Sequence, residues 1–191
     1  MSGMRRAGAA SGLVAAVVVL TSAVALGAAP PAKVKSAVDK WASTAKEIQD
    51  SKVLPTAQRA GDVVQRALST CERFAISRPG LADGVQMFAD DIKLYVTQSE
   101  RGELGLYALA PQLGTKRSPA RKAYVQRLDG AGRSLDGELL SVKHLREDAG
   151  FIGSGQCSRG ISDVKLDVGI LKVHHDVLDG ELARLRAQFG S

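Results

Sequence analysis

Histidine is the scarcest source of chemistry in this chain: His144, His174 and His175 are the only three in 191 residues. Asp148 stands four residues after His144, and Asp179 four after His175. On a helix that spacing stacks an imidazole and a carboxylate on one face, a ligand pair that zinc or copper accepts. Two such pairs would make a composite site only if the loop between their helices brought both to one level. Other metal patterns are missing. A di-iron bundle needs Glu-x-x-His, but Ser141, Leu171 and Lys172 occupy those positions. Haem has no Cys-x-x-Cys-His, and Met87 is the only methionine after Met4. The expectation is structural histidines and no metal or cofactor, with His144, Asp148, His175 and Asp179 as the weak candidates.

Nucleophilic and hydrolytic chemistry has less support. No Gly-x-Ser-x-Gly elbow occurs, and the serine-bearing stretch Gly153–Gly160 holds no histidine. Asp90-Asp91 and the pair Glu100 and Glu103 are carboxylates of the kind that cleave glycosides, yet adjacent acids on a helix form a solvated face. The glycines at 153, 155 and 160 have the wrong spacing for a dinucleotide fingerprint and lack the phosphate-loop lysine. The chain reads as a non-enzyme.

One basic cluster stands out. Lys116, Arg117, Arg121, Lys122, Arg127 and Arg133 fall in a stretch whose only acid is Asp129. Arg117, Arg121 and Lys122 lie at a helix start, where the helix dipole disfavours positive charge. Residues set against a local preference can mark a binding surface, here for an anionic membrane surface or an acidic partner.

The N-terminus says where this chemistry would operate. Arg5 and Arg6 precede an uncharged run from Ala7 to Ala32, with an apolar centre from Leu13 to Leu26. Small residues and Pro30-Pro31 follow, completing the three parts of a secretory signal. Ala23-Val24-Ala25 supplies a peptidase site, so residues 1–29 read as a signal peptide cut near Ala25. The alternative is an uncleaved anchor, because the uncharged run is long enough to span a bilayer. Export places the protein in the periplasm or outside the cell; retention tethers it to the inner membrane. Without Arg5 and Arg6 the chain has 24 basic and 20 acidic residues, a net charge of +4, too mild for nucleic acid. Cys71 and Cys157 are the only cysteines, and an oxidising compartment makes them one disulfide.

The elements that position these residues are helical throughout. Apolar residues after Pro31 recur at steps of three and four. Val34, Val38, Trp41, Ala45 and Ile48 mark a first helix, which Pro55 either ends or follows by beginning the next; Ala57, Ala60, Val64, Ala67, Cys71 and Phe74 (or Ala75) mark a second over about 56–77. Arg78-Pro79-Gly80 reads as a break. Leu81, Val85, Phe88, Ile92 and Tyr95 mark a third helix to about residue 100, followed by a short helix or turn over Leu104–Leu113. Ser118-Pro119 is a strong helix start, an N-cap hydroxyl with proline in the first turn, and Tyr124, Leu128, Ala131, Leu135, Leu139 and Val142 carry that helix to Leu145. Gly150–Gly160 reads as a glycine-rich loop holding Cys157. The last helix carries two apolar stripes: Val164, Val168, Leu171, His175, Leu178, Leu182, Leu185 and Phe189, with Leu166, Ile170, Val173 and Val177 beside them. Two stripes imply two packed neighbours.

The sequence thus predicts an all-α antiparallel bundle of four to five helices over residues 30–191, after the N-terminal signal or anchor helix. The expected function is contact with another envelope or secreted protein. A ligand- or metal-binding bundle, and a membrane-anchored accessory protein of the envelope or a secretion apparatus, are the alternatives.

Overall fold

The computed structural model describes residues 29–191. The expected signal or anchor helix lies outside the described residues. Among those residues there is no strand, and no helix is long and apolar enough to cross a membrane.

Five α-helical segments form four rods. Helix α1 is Ala32–Ile48 and α2 is Leu54–Arg73; a π-helical turn, Gln49–Val53, joins them without a gap. Pro55 takes the second of the two roles expected of it: it stands in the first turn of α2, although the helical path continues into it from α1. A proline removes one donor and crowds the carbonyl four residues back, and the wider π turn just upstream makes room for it. The core stripe therefore runs unbroken through Val34, Val38, Trp41, Ala45, Val53, Ala57, Ala60, Val64 and Cys71.

The chain turns at Phe74–Ser77, and α3 (Arg78–Tyr107) begins at the predicted break, with Pro79 in its first turn, where a missing N–H costs nothing. Phe74 stays 57% exposed, off the core face assigned to it. Helix α3 also runs past residue 100, through Gly102, which the edge of the Trp41 indole of α1 meets. A Cβ at Gly102 would overlap the indole ring, whose Nε1 donates to the Ser99 carbonyl at 2.9 Å.

A short 3-10 turn, Ala110–Leu113, leads to α4 (Pro119–Gly153), which starts where Ser118-Pro119 predicts. The predicted Gly150–Gly160 loop shrinks to Ser154–Gln156, since α4 extends to Gly153 and α5 (Cys157–Phe189) begins at the cysteine. Gly155 takes the left-handed conformation, φ +92°, that closes so short a turn.

Helices α4 and α5 make the most extensive packing in the bundle, with α3 against α4 next. The α1–α2 rod packs on α3 and α5 and sits diagonally from α4. The α4–α5 register is visible in the glycines of α4: Glu181 lies over Gly130, the His174 ring over Gly137, and Ile152 against Gly160 of α5. At Gly160 it is the α4 backbone itself that comes close, since a Cβ there would sit 2.7 Å from Ile152 Cγ1 and 2.8 Å from the Asp148 carbonyl oxygen. The core is aliphatic and closed at one end by Tyr124 meeting Phe189 edge-on at 5.1 Å.

Candidate functional site

Cys71 and Cys157 are joined, with Cα atoms 6.0 Å apart across 86 positions of sequence. The bridge pins the end of α2 to the start of α5. Closing a loop that long stabilises a fold by about 4 kcal/mol in the chain-entropy account.

The two histidine–aspartate pairs separate. His144 faces α5, where its Nδ1 lies 3.3 Å from Asp167 Oδ1. Asp148, one turn further along α4, is buried near the same Asp167, and its Oδ2 has no hydrogen-bond partner among the described residues. His175 turns instead to the π turn, its Nδ1 3.4 Å from Gln49 Oε1 and its Nε2 3.5 Å from Asp50 Oδ1. Asp179 accepts from Lys46 Nζ at 2.7 Å. The short Ser154–Gln156 turn gives no offset, so the pairs stay levels apart. Among the described residues no three histidine, cysteine or carboxylate side chains are arranged to hold a metal ion.

What these contacts build is a buried polar seam. Glu138 is fully enclosed, and Gln49 Nε2 donates to its Oε2 at 2.8 Å while Oε1 has no partner. Burial pushes Glu138 up to about 8, against the lowering effect of the Gln49 bond. Glu103 lies over Gly132, and burial raises it to about 7. Asp148 is raised by burial and by the neighbouring Asp167 carboxylate. The sequence reading ran the α4 stripe through Leu139; the buried position is Glu138, three residues after Leu135 and four before Val142. Gln49 likewise continues the stripe from Ala45 to Val53, and Glu103 the stripe from Val96 and Ser99 to Leu106. The signal was the spacing, which polar residue types concealed.

The basic cluster divides. Lys116, Arg121 and Lys122 border a shallow groove of about 360 Å³ with Val125, Gln126 and Asp129, and Arg117 is exposed nearby. Arg121 donates to the Gly114 carbonyl at 3.2 Å. Arg127 turns to α5, where it reaches Glu181 at 3.3 Å and Gln188 at 3.4 Å. Arg133 is exposed, two turns along α4 from the rest.

Among the described residues the second stripe of α5 has no neighbour. Leu166 is 63% exposed, Ile170 37%, Val173 60% and Val177 49%. They were expected to be covered by a second helix, but α1, α2 and α4 all pack on the other stripe. Beyond them Gly180 lacks a side chain, leaving an open groove of about 410 Å³ lined by Val173, Asp176, Val177, Gly180 and Arg184. A second groove, about 320 Å³, lies between α1 and α3, with Trp41, Ala45 and Leu106 along it and Gly102 and Gly105 leaving the space. The buried Ser99 hydroxyl that borders it has no hydrogen-bond partner.

No protein-family model matches this chain, and no curated protein or solved structure matches it either.

Proposed function

We propose that this chain is an exported, non-catalytic helical bundle that acts by holding another envelope or secreted protein, and that α5 is the face it offers. The carrying observation is the exposed stripe Leu166, Ile170, Val173 and Val177. Its steps of 4, 3 and 4, continued by Gly180 and Arg184, follow the narrow seam of a coiled coil rather than the broad face of a core helix. Val173, Asp176, Val177 and Gly180 stand at i, i+3, i+4 and i+7, the four corners of a hole that accepts one knob from a facing helix. The partner is therefore an amphipathic helix with an apolar seam. The disulfide is compatible with an oxidising compartment.

The test is site-specific photo-crosslinking in the producing cell. A crosslinker at Leu166 or Val173 should give one discrete heterotypic adduct, absent from a crosslinker at Lys93 on α3 and lost when Ile170→Asp is added. Adducts only with itself, or the same adducts from Lys93, would overturn the proposal.

A second reading, small-ligand binding, rests on the groove beside Trp41. Its apolar walls, the unpaired Ser99 hydroxyl inside and Lys40 at its border suit an amphiphile with a negative head. Trp41 is the only tryptophan, so its emission reports on this groove. A saturable shift with a medium-chain fatty acid, lost in Gly105→Leu, would support it. A featureless linear drift would count against it.

A further inference from the structure

We propose that one end of the bundle, carrying Lys33, Lys35, Lys116, Arg117, Arg121 and Lys122, docks on the headgroups of an anionic lipid membrane. These residues come from two distant stretches of sequence that the fold brings to one level. Ala37 and Trp41 of α1 share a groove with Gly102, Leu106 and Leu109 of α3, so Lys33 and Lys35, one turn earlier, reach the level of the Ala110–Leu113 turn. Lys116 and Arg117 follow directly from that turn, and Arg121 and Lys122 sit in the opening turns of α4. The C-terminus of α5 closes the same end, through Phe189 on Tyr124 and Ser191 donating to Asp39 at 2.9 Å.

This end carries a net excess of positive charge, offset in its groove only by Asp129. None of the six takes part in an ion pair among the described residues. Asp39 is occupied by Arg186 and Ser191, and Asp129 accepts from Tyr107 at 2.6 Å. Neither α1 nor α4 has an acid in its first turn, where the helix dipole favours one. The ends of α3 and α5 lie at the same level as these two starts, so the helix dipoles offset one another and the six side chains themselves carry the positive charge that suits an extended anionic surface.

The chain itself says which surface. The uncharged run Ala7–Ala32 enters α1 at this end, so a bilayer engaged by that run lies directly against these cations. The surface is also unlike a protein hot spot. Its groove is shallow and bordered by charged and polar side chains, and the exposed aliphatic stripe lies elsewhere, on α5. Diffuse charge facing a plane of phosphates is the match.

The experiment is co-sedimentation of the full chain with phosphatidylcholine vesicles, with and without phosphatidylglycerol. Phosphatidylglycerol should raise the partition at least tenfold, roughly the effect of two basic residues at a charged surface. High salt should erase that increment. Arg121→Glu with Lys122→Glu, or Lys33→Glu with Lys35→Glu, should remove most of it while residual apolar binding to phosphatidylcholine persists. Circular dichroism and an intact disulfide confirm that each variant is folded. An unchanged increment in both folded variants would overturn the proposal. So would a wild-type chain indifferent to phosphatidylglycerol, including one that binds soluble polyglutamate through the same residues. This outcome is independent of the crosslinking test on α5.

Discussion

Glu138 shows how one residue can stand against its surroundings. It is a carboxyl placed at the centre of an aliphatic stripe, satisfied by Gln49 on one oxygen only. Because burial lifts it to about 8, the folded protein holds a proton that the unfolded chain releases near its ordinary value of 4.5. Below that value both states are protonated and the residue is neutral to stability. As pH rises through the interval, folding must retain a proton that the solvent increasingly claims, so stability falls and then levels off above about 8. Glu138→Gln keeps the shape and the neutral state. It should change stability little near pH 5 and raise it by roughly 2–4 kcal/mol near pH 9, read by urea unfolding at both values. The residue was present in the sequence at the correct spacing. Hydrophobicity points to the adjacent Leu139, whereas periodicity and the fold select Glu138.

At the scale of elements, helix contact is set by what is missing from side chains. Gly160 lets α5 cross α4 against the Asp148 carbonyl oxygen, beside the disulfide end of the bundle. Gly160→Ala places a methyl 2.8 Å from that backbone oxygen, which cannot yield as a flexible side chain would. The overpacking should cost about 1–3 kcal/mol, seen as a fall of roughly 2–10 °C in Tm for a domain of this size. The disulfide should stay intact in a thiol assay, since the helices part by less than a bond length. Gly130, Gly132 and Gly137 of α4 read in the sequence as weakening the helix while allowing close packing or a kink, and close packing is the use the structure makes of them. Gly150–Gly160, by contrast, reads as a loop and is mostly helix. A glycine lowers helix propensity in isolation, and only the neighbour it admits shows why the helix continues through it.

For the whole molecule, the raised carboxyls act together. Glu103, Glu138 and Asp148 all lie at the α4 interfaces, and burial shifts each upward. The native protein therefore binds more protons than the unfolded chain between about pH 4.5 and 8. Thermal unfolding with the disulfide intact should give a Tm higher near pH 5.5 than near pH 9. A Tm flat or rising across that interval would show that solvent reaches these groups. The same molecule directs its other faces outward in two ways, an aliphatic seam on α5 and a cationic end where α1 and α4 begin. The two partners proposed for them differ in chemistry and do not compete for one surface.

The sequence by itself determined the helical class, the start of α4 at Ser118-Pro119 and the pairing that two cysteines allow. Each of these follows from short-range rules: turn periodicity, capping, and a count with one solution. Only the tertiary structure decided which side of each stripe is covered. A repeat of Leu166, Ile170, Val173 and Val177 is the same string whether a neighbouring helix packs on it or not. Whether His144 meets His175, and whether Lys33 shares an end with Lys122, depend on rod order and register. Those are fixed by contacts between residues far apart in the chain, which no local pattern encodes.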